Sequence, residues 1–167
     1  YPLLLAGWGA LVGWSEVAAR WLPLLLGLLG LAWTYRLVAD LASRRAGLWA
    51  VALLGASVYY SYFLHELRAF SLMALATSFS LWIYWRLLHS RAPSRWAYAG
   101  LFMGGLTLAY THYFAFPVLI GLGAYHLLWA RKDRRWWAIT GVLALIALTA
   151  ALWLPVFQLG YERQLKN

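Results

Sequence analysis

The sequence predicts an all-α, polytopic membrane protein with about six transmembrane helices and an N-terminal interfacial helix on the outer face. Hydrophobic residues make up 64% of the 167 residues and charged residues only 11%, with a mean hydropathy of +0.66. This balance lies well outside that of soluble domains. The apolar residues form long runs, and most basic residues stand in the short connections between them, as in helices that cross a bilayer.

Six apolar runs are long enough to cross a hydrocarbon core about 30 Å thick, which requires roughly 20 residues of α-helix. They cover residues 21–41, 46–64, 68–88, 96–111, 113–130 and 136–157, and they define a predicted transmembrane core at 21–157. Residues 158–167 are predicted to be an outer-face tail that continues into a C-terminal region. Because the chain starts without Met and ends directly after an apolar run, we expect it to be part of a longer protein.

The N-terminal segment, residues 1–20, is apolar but interrupted by glycines, and it contains Trp8 and Trp14. Tryptophan prefers the membrane interface, so we expect a short helix along the outer surface, followed by a capped turn at Ser15 into the first run. The alternative is a further spanning helix.

The basic residues are distributed unevenly between the two sides of the predicted core. Ten of the fourteen lie in or just before the connections after the first, third and fifth runs: Arg36, Arg44, Arg45, Arg86, Arg91, Arg95, Arg131, Lys132, Arg134 and Arg135. The positive-inside rule places these connections in the cytoplasm and both ends of the chain outside. This distribution accounts for the net charge of +9 without a nucleic-acid partner.

Residues 65–68, His-Glu-Leu-Arg, place three ionisable groups between two apolar runs. Burying an ionised group in hydrocarbon costs several kcal/mol, so these groups are expected to face water, a ligand or one another. Arg68, at the predicted N-terminal end of the third run, favours an anion such as phosphate. Glu66 could orient Arg68, act as a general base, or bind a divalent cation together with His65. The alternative is an interfacial salt bridge within an aromatic belt.

Polar and aromatic residues gather at the predicted outer ends of the other runs as well. They are Glu16, Arg20, Tyr59, Tyr60, Tyr62, Tyr110, Thr111, His112, Tyr113, Gln158, Tyr161, Glu162 and Arg163. A cleft at this level could hold an amphipathic substrate such as a lipid-linked phosphate. His112 belongs either to that cleft or to a structural turn, and His126, near the cytoplasmic end, is either structural or a tetrapyrrole ligand.

Two further patterns predict packing rather than chemistry. Asp40 and Arg36 have the i, i+4 spacing of an interfacial ion pair. Gly100, Gly104 and Gly105 in the fourth run, and Gly121 and Gly123 in the fifth, predict close helix approach. The sequence has no cysteine, and it contains no Gly-rich phosphate loop, paired metal-ligand spacing or nucleophile elbow.

A series of segments resembles the bacterial membrane glycosyltransferases of the GT-C type, in the dolichyl-phosphate-mannose protein mannosyltransferase superfamily. The segments are residues 1–5 with Trp8, residues 13–20 with the Arg-Trp-Leu-Pro entry at 20–23, Arg-Arg-Ala-Gly at 44–47, residues 60–70, and Thr-His-Tyr-Phe at 111–114. In this resemblance His65 replaces the usual Gln and Phe70 the usual Tyr, whereas Glu66 and Arg68 match the family pattern.

The resemblance implies transfer of a sugar from a polyprenyl-phosphate carrier to an acceptor on the outer face of a bacterial plasma (inner) membrane. It also implies an inverting displacement helped by an acidic residue, which in the family lies in an outer loop upstream of Tyr1. The substrate or phosphate cleft would then include Tyr62, His65, Glu66, Arg68 and His112, with no metal site assigned apart from the divalent cation considered above.

Two other functional classes compete with this enzyme. One is a non-catalytic membrane subunit that keeps the fold within a larger complex. The twelve tryptophans and two histidines, His112 at a helix end and His126 within a run, suggest that such a complex could bear a pigment. The other is a flippase or transporter, which the absence of mid-span charges and of paired broken helices disfavours.

Overall fold

A computed structural model describes residues 1–152, and within this range the chain is all-helical, as predicted. The helices are α1 (Pro2–Val12), α2 (Glu16–Leu41), α3 (Arg44–Gly55), α4 (Val58–His65), α5 (Phe70–His89), α6 (Arg95–Thr111), α7 (Phe116–Leu128) and α8 (Arg134–Ala151), with a 3₁₀ turn at Tyr113–Ala115. The predicted end of the sixth run at residue 157 and the predicted tail, with Gln158, Tyr161, Glu162 and Arg163, lie outside the described residues.

The helices pack as a series of neighbours. Helix α2 contacts both α3 and α5, α5 contacts α6, and α6 contacts α8, while α7 lies beside α6 and α8. The connections at 42–43, 90–94 and 129–133 lie at one end of this bundle, which we call the basic end because the ten basic residues named above surround it. The connections at 66–69 and 112–115 lie at the other end, which we call the turn end.

Large side chains fill the space between the helices near the basic end. Leu87, Leu101 and Ile139, from α5, α6 and α8, are fully buried and belong to one cluster that also contains Trp82. The Trp33 ring of α2 lies 4.5 Å from the Trp82 ring of α5, measured between centroids. This packing supplies many small dispersion contacts, which hold α2, α5, α6 and α8 at fixed positions.

The predicted close approach of helices at glycine residues is found in α6 but not in α7. A Cβ atom on Gly104 would lie 2.5 Å from the Ser80 Oγ, and one on Gly105 would lie 2.4 Å from the Ile146 Cδ1. Helix α6 therefore approaches α5 and α8 as closely as predicted. For Gly121 and Gly123 the prediction is wrong, because no atom lies within 4 Å of a Cβ built there. These two glycines of α7 face open grooves instead.

Of the described helices, α2 is the one that is long and apolar enough by itself to cross a membrane. Helices α3 and α4 meet the same criterion only when they are taken together, and they are bent by 66° at residues 56–57. The second predicted run is therefore not one straight helix. Ser57 adopts an extended conformation there and starts a new helix, and the Ser61 hydroxyl donates a 3.4 Å hydrogen bond to the Gly55 carbonyl left free by the break.

The N-terminal segment forms the predicted short helix and capped turn. Helix α1 ends at Val12, and the C-cap residue Gly13 turns the chain with a φ of +90°. The Ser15 hydroxyl then accepts the Ala18 N–H as the N-cap of α2. The Trp8 Nε1 donates a 2.7 Å hydrogen bond to the Ala18 carbonyl, which fastens α1 to α2. Helix α2 thus begins at Glu16, ahead of the predicted first run at residue 21.

At the basic end, the predicted ion pair between Arg36 and Asp40 is wrong. The Asp40 carboxylate instead accepts a 3.0 Å hydrogen bond from the Trp82 Nε1. The Arg86 guanidinium lies over the same Trp82 ring, 5.1 Å from its centroid. Asp40 therefore ties the end of α2 to α5, because a tryptophan N–H across the helix interface competes successfully with an exposed arginine on the same helix.

Asp133 and Arg135 organise the start of α8. The Asp133 carboxylate accepts the backbone N–H groups of Arg135 and Trp136, both at 2.9 Å, as the N-cap of the helix. These hydrogen bonds, with the Trp136 N–H contributing most, lower the pKa of the Asp133 carboxyl below its usual 3.8. The Arg135 guanidinium donates to the carbonyls of Ser90 and Arg91, which holds the connection after α5 against α8.

Candidate functional site

The charged turn at residues 65–68 lies outside the helices that flank it. Helix α4 ends at His65, Glu66 is extended, and α5 begins at Phe70 with Ala69 as its N-cap. Arg68 therefore precedes the helix and does not open it, which corrects the prediction that it stands at the N-terminal end of the third run. Because hydrophobic and charged residues alternate in this turn, the sequence did not show that the helix begins two residues after Arg68.

Glu66 and Arg68 form an ion pair within the turn. The Arg68 Nε lies 3.3 Å from the Glu66 Oε2, and the Arg68 side chain is 72% exposed, against 28% for Glu66. An exposed pair of this kind contributes only about 0–1 kcal/mol to stability. Its consequence is geometric: Glu66 engages the Nε side of the guanidinium, and the exposed side chain remains accessible to a second anion.

Tyr62 stands one helical turn before Glu66, on the last turn of α4. Its hydroxyl lies beside the Glu66 carboxylate, and its ring is exposed. The Tyr62 ring also contacts the Phe63 ring edge-on, with 5.5 Å between centroids. Tyr62, Glu66 and Arg68 are therefore brought together as one polar group at the surface of the turn end.

His112 is the extended residue between α6 and the 3₁₀ turn. Its Nδ1 accepts the Phe114 N–H at 3.2 Å, so the ring caps the turn that follows. An imidazole whose Nδ1 accepts a hydrogen bond carries its proton, when neutral, on Nε2. That Nε2 has no hydrogen-bond partner among residues 1–152. His112 therefore has a structural role through one nitrogen and retains a donor on the other.

Phe70 connects His112 to the charged turn. Its ring lies 5.5 Å from the His112 ring and 4.4 Å from the Phe63 ring, measured between centroids. The Ser71 hydroxyl donates a 3.0 Å hydrogen bond to the Phe63 carbonyl, which fixes the start of α5 against the end of α4. Sequence reasoning assigned no role to Phe63, Phe70 or Ser71. Phe70 directly follows residues 65–69, and Tyr113 and Phe114 directly follow His112. This repeated placement of aromatic residues was the pattern that could have indicated a shared cluster.

His65, the remaining predicted site residue, is exposed at the end of α4 and makes no hydrogen bond or ion pair with the part of the chain that the structure describes. No group of three or more His, Cys, Asp or Glu residues within that part could hold a metal ion. Because Glu66 is paired with Arg68, the divalent-cation role of His65 and Glu66 gains no geometric support, and it stays a prediction.

His126 is closed to any ligand. It is 1% exposed, its Nδ1 lies 3.1 Å from the Tyr84 hydroxyl, and its Nε2 lies 3.0 Å from the Thr140 Oγ1. The ring also stacks on Trp136, whose Nε1 donates to the His126 carbonyl at 2.9 Å. Both ring nitrogens are thus occupied, and the tetrapyrrole interpretation of this histidine is wrong. His126 is a structural residue that joins α5, α7 and α8.

The family of the chain is identified by comparing its sequence with models of known protein families. Residues 1–158 match the model of the dolichyl-phosphate-mannose-protein mannosyltransferase family, which covers nearly the whole chain. The chain belongs to this family. Comparison with curated proteins and with solved structures finds no significant match.

Family membership confirms the resemblance found in the sequence. The family consists of integral membrane glycosyltransferases of the GT-C kind, which use lipid-linked sugar donors. The turn end holds the residues that the sequence predicts for a substrate cleft, namely Tyr62, His65, Glu66, Arg68 and His112. Helix α2 supplies one clear candidate for a membrane-spanning segment in such a protein.

Proposed function

We propose that the chain transfers a sugar from a polyprenyl-phosphate carrier to an acceptor on the outer face of the membrane, and that the turn end holds the carrier phosphate. The observation that carries the proposal is the Arg68 side chain, which is paired with Glu66 through Nε at 3.3 Å and yet is 72% exposed. An arginine guanidinium has five N–H donors in a planar fork. Glu66 uses one edge of that fork, so other donors remain for a phosphate.

The phosphate contact has a defined place in the reaction. In an inverting transfer, an acceptor oxygen bonds to the anomeric carbon while the bond from that carbon to the phosphate oxygen breaks, so negative charge grows on the departing carrier phosphate. The Arg68 guanidinium stabilises this charge most when it is fully developed, which lowers the barrier rather than only strengthening binding. We assign no residue to the removal of the acceptor proton.

Four other residues shape the proposed cleft. Glu66 positions Arg68, and Tyr62 lies beside the Glu66 carboxylate. His112, linked to the turn through Phe70, offers its Nε2–H as a second donor to a phosphate or sugar oxygen. His65 is exposed at the rim and is the least constrained member of the group.

The experiment is a transfer assay with the full-length membrane protein and a polyprenyl-phosphate sugar. We expect Arg68→Ala to lower kcat/KM by about a hundredfold or more, since a lost charged contact to the leaving group costs roughly 2.7–4 kcal/mol in comparable sites. Glu66→Gln, which keeps the shape of the positioning side chain but removes its charge, should have a smaller effect. Arg36→Ala is the matched control, because Arg36 is an exposed arginine of α2 at the basic end, away from the turn end. Equal activity of the Arg68 and Arg36 variants would overturn the phosphate role.

A further inference from the structure

A long apolar groove runs along the outside of the bundle between α2, α5 and α7. It has a volume of about 580 Å³ and is lined by Leu37, Leu81, Val118, Gly121 and other apolar side chains. Gly121 contributes open space to its wall, because nothing lies within 4 Å of a Cβ built on it. The groove also reaches Leu41, the last residue of α2, so it extends to the basic end.

Two polar cavities adjoin this groove at the basic end. One, of about 340 Å³, is lined by Asp40, Trp85, Arg86, His89 and Ser90. The other, of about 450 Å³, includes His89, Tyr125, Arg131, Asp133 and Arg135 in its wall. The three spaces share walls: Trp85 lines the groove and the first cavity, Tyr125 lines the groove and the second, and His89 lines both cavities.

The charges around these cavities leave an excess of available cations. The Asp40 carboxylate accepts the Trp82 Nε1, and the Asp133 carboxylate accepts the N–H groups at the start of α8. Arg135 is held by backbone carbonyls. Within residues 1–152, no carboxylate lies within 4.0 Å of a nitrogen of Arg86 or Arg131. The exposed guanidinium groups of Arg86 and Arg131 and the His89 imidazole therefore surround the end of the apolar groove that lies at the basic end, which we call its mouth.

We propose that this groove and its mouth bind an anionic glycerophospholipid of the surrounding leaflet. Its phosphate is bound by Arg86, His89 and Arg131, and one acyl chain lies in the groove along α5 and α7. The basic mouth selects a negative headgroup, and the apolar wall selects a lipid over a soluble phosphate, which would leave the groove exposed. Helix α5, of 20 residues, separates this mouth from the Glu66–Arg68 turn by about 30 Å, so the two sites are distinct.

Native mass spectrometry of the purified full-length protein, titrated with phosphatidylglycerol or phosphatidylcholine, tests the headgroup contact. We expect phosphatidylglycerol to bind about tenfold more tightly than phosphatidylcholine, as the gain from charged hydrogen bonds predicts. The double variant Arg86→Gln and Arg131→Gln should lose this preference. The double variant Arg44→Gln and Arg45→Gln removes two exposed charges at the same end that do not line the cavities, and it should keep the preference. An equal loss in both variants would show only general attraction to basic residues and would overturn the site.

A second comparison tests the groove itself. Gly121→Leu fills the groove, whereas Gly123→Leu, two residues along the same helix and equally open, fills a separate groove between α7 and α8. We expect Gly121→Leu to weaken phosphatidylglycerol binding and Gly123→Leu to leave it unchanged. Identical phosphatidylglycerol binding in the two variants would refute the proposal that an acyl chain lies in this groove. Displacement of bound phosphatidylglycerol by an equimolar polyprenyl phosphate would overturn the assignment to a glycerophospholipid.

Discussion

His112 illustrates how a single backbone contact decides what a side chain can offer to a ligand. Because its Nδ1 accepts the Phe114 N–H, the neutral ring must carry its proton on Nε2. The sequence left two interpretations of this histidine, a structural turn and a substrate cleft. The structure supports a structural role for Nδ1, and the proposed cleft requires only Nε2, so the two interpretations are compatible.

Substitution of His112 can distinguish the roles of its two ring nitrogens. The oxygen of Asn occupies a position close to that of Nδ1, so His112→Asn should keep the cap but remove the Nε2 donor. We expect this variant to keep its thermal stability and to lose about tenfold or more in kcat/KM, which corresponds to a hydrogen bond to a charged group. His112→Gln reaches the Nε2 position and loses the cap, so its main effect should be a lower melting temperature. Full transfer activity of a stable His112→Asn protein would rule out the donor role.

Among the helices, α6 and α7 show that glycines in an apolar run have more than one use. The Gly104 and Gly105 positions of α6 allow the close approach of α5 and α8, whereas Gly121 and Gly123 of α7 leave grooves on the outside of the bundle. The sequence gives all four the same surroundings of small and branched apolar residues. Only the positions of the neighbouring helices distinguish a packing glycine from a groove glycine.

Alanine at Gly105 should destabilise the protein. Its methyl group would lie 2.4 Å from the Cδ1 of Ile146, which is buried and cannot move away freely. We expect Gly105→Ala to lower the free energy of unfolding by about 1–3 kcal/mol, the usual cost of overpacking. Gly121→Ala is the control on an open helix face, where the greater helix propensity of alanine should leave stability equal or slightly raised. Thermal unfolding in detergent would measure both, and equal melting temperatures would contradict the close α6–α8 contact.

The start of α8 should depend on pH through Asp133. Backbone N–H groups lower the pKa of this carboxyl, so its stabilising effect is fully present above pH 3.8 and is lost as the pH falls through the lower folded pKa. Asp133→Asn keeps an N-cap acceptor without the charge. We expect the melting temperature of Asp133→Asn to lie below that of the wild type at pH 7, and the difference to shrink as the pH falls below 3.8 and through the lowered pKa of the folded protein. A constant difference across this range would exclude Asp133 as its source.

Across the whole molecule, the two ends of the bundle differ in chemistry. The basic end carries ten of the fourteen Lys and Arg residues, and the turn end carries the Glu66–Arg68 pair and His112. The positive-inside rule predicts that these ends face opposite sides of the membrane, with the basic end in the cytoplasm. The proposed donor cleft requires the same orientation, because it places the turn end at the outer face.

The orientation can be measured because the sequence contains no cysteine. A single cysteine at the exposed Leu67 should react with a membrane-impermeant maleimide added to intact cells, and one at Lys132 should react only after the membrane is opened. Both variants keep the charged turn pair and the α8 cap intact. Labelling of the Lys132→Cys protein in intact cells, with none for Leu67→Cys, would reverse the proposed topology.

Much of the fold follows from local pattern. The boundaries of α5, α6 and the start of α8 lie within two residues of the predicted runs, because charged or capping residues mark them. The break between α3 and α4 was not predicted, since Gly55 and Ser57 are ordinary residues of a membrane helix until the chain bends. Within the site, the sequence identified the pairing of Glu66 with Arg68, which are neighbours in the chain, but not the contact of Phe70 with His112, which lie 42 residues apart.

The sequence by itself determined the membrane class, the helical fold, the family and the charged turn, because each of these depends on composition, periodicity or residues adjacent in the chain. The tertiary structure decided which nitrogen of His112 is available, why His126 is closed, which glycines pack and which line grooves, and that Asp40 pairs with Trp82. The His112 contact lies within one turn and depends on the backbone conformation there, whereas the others depend on contacts between different helices. Such contacts are set by how side chains fill the space between elements, which no local stretch of sequence specifies.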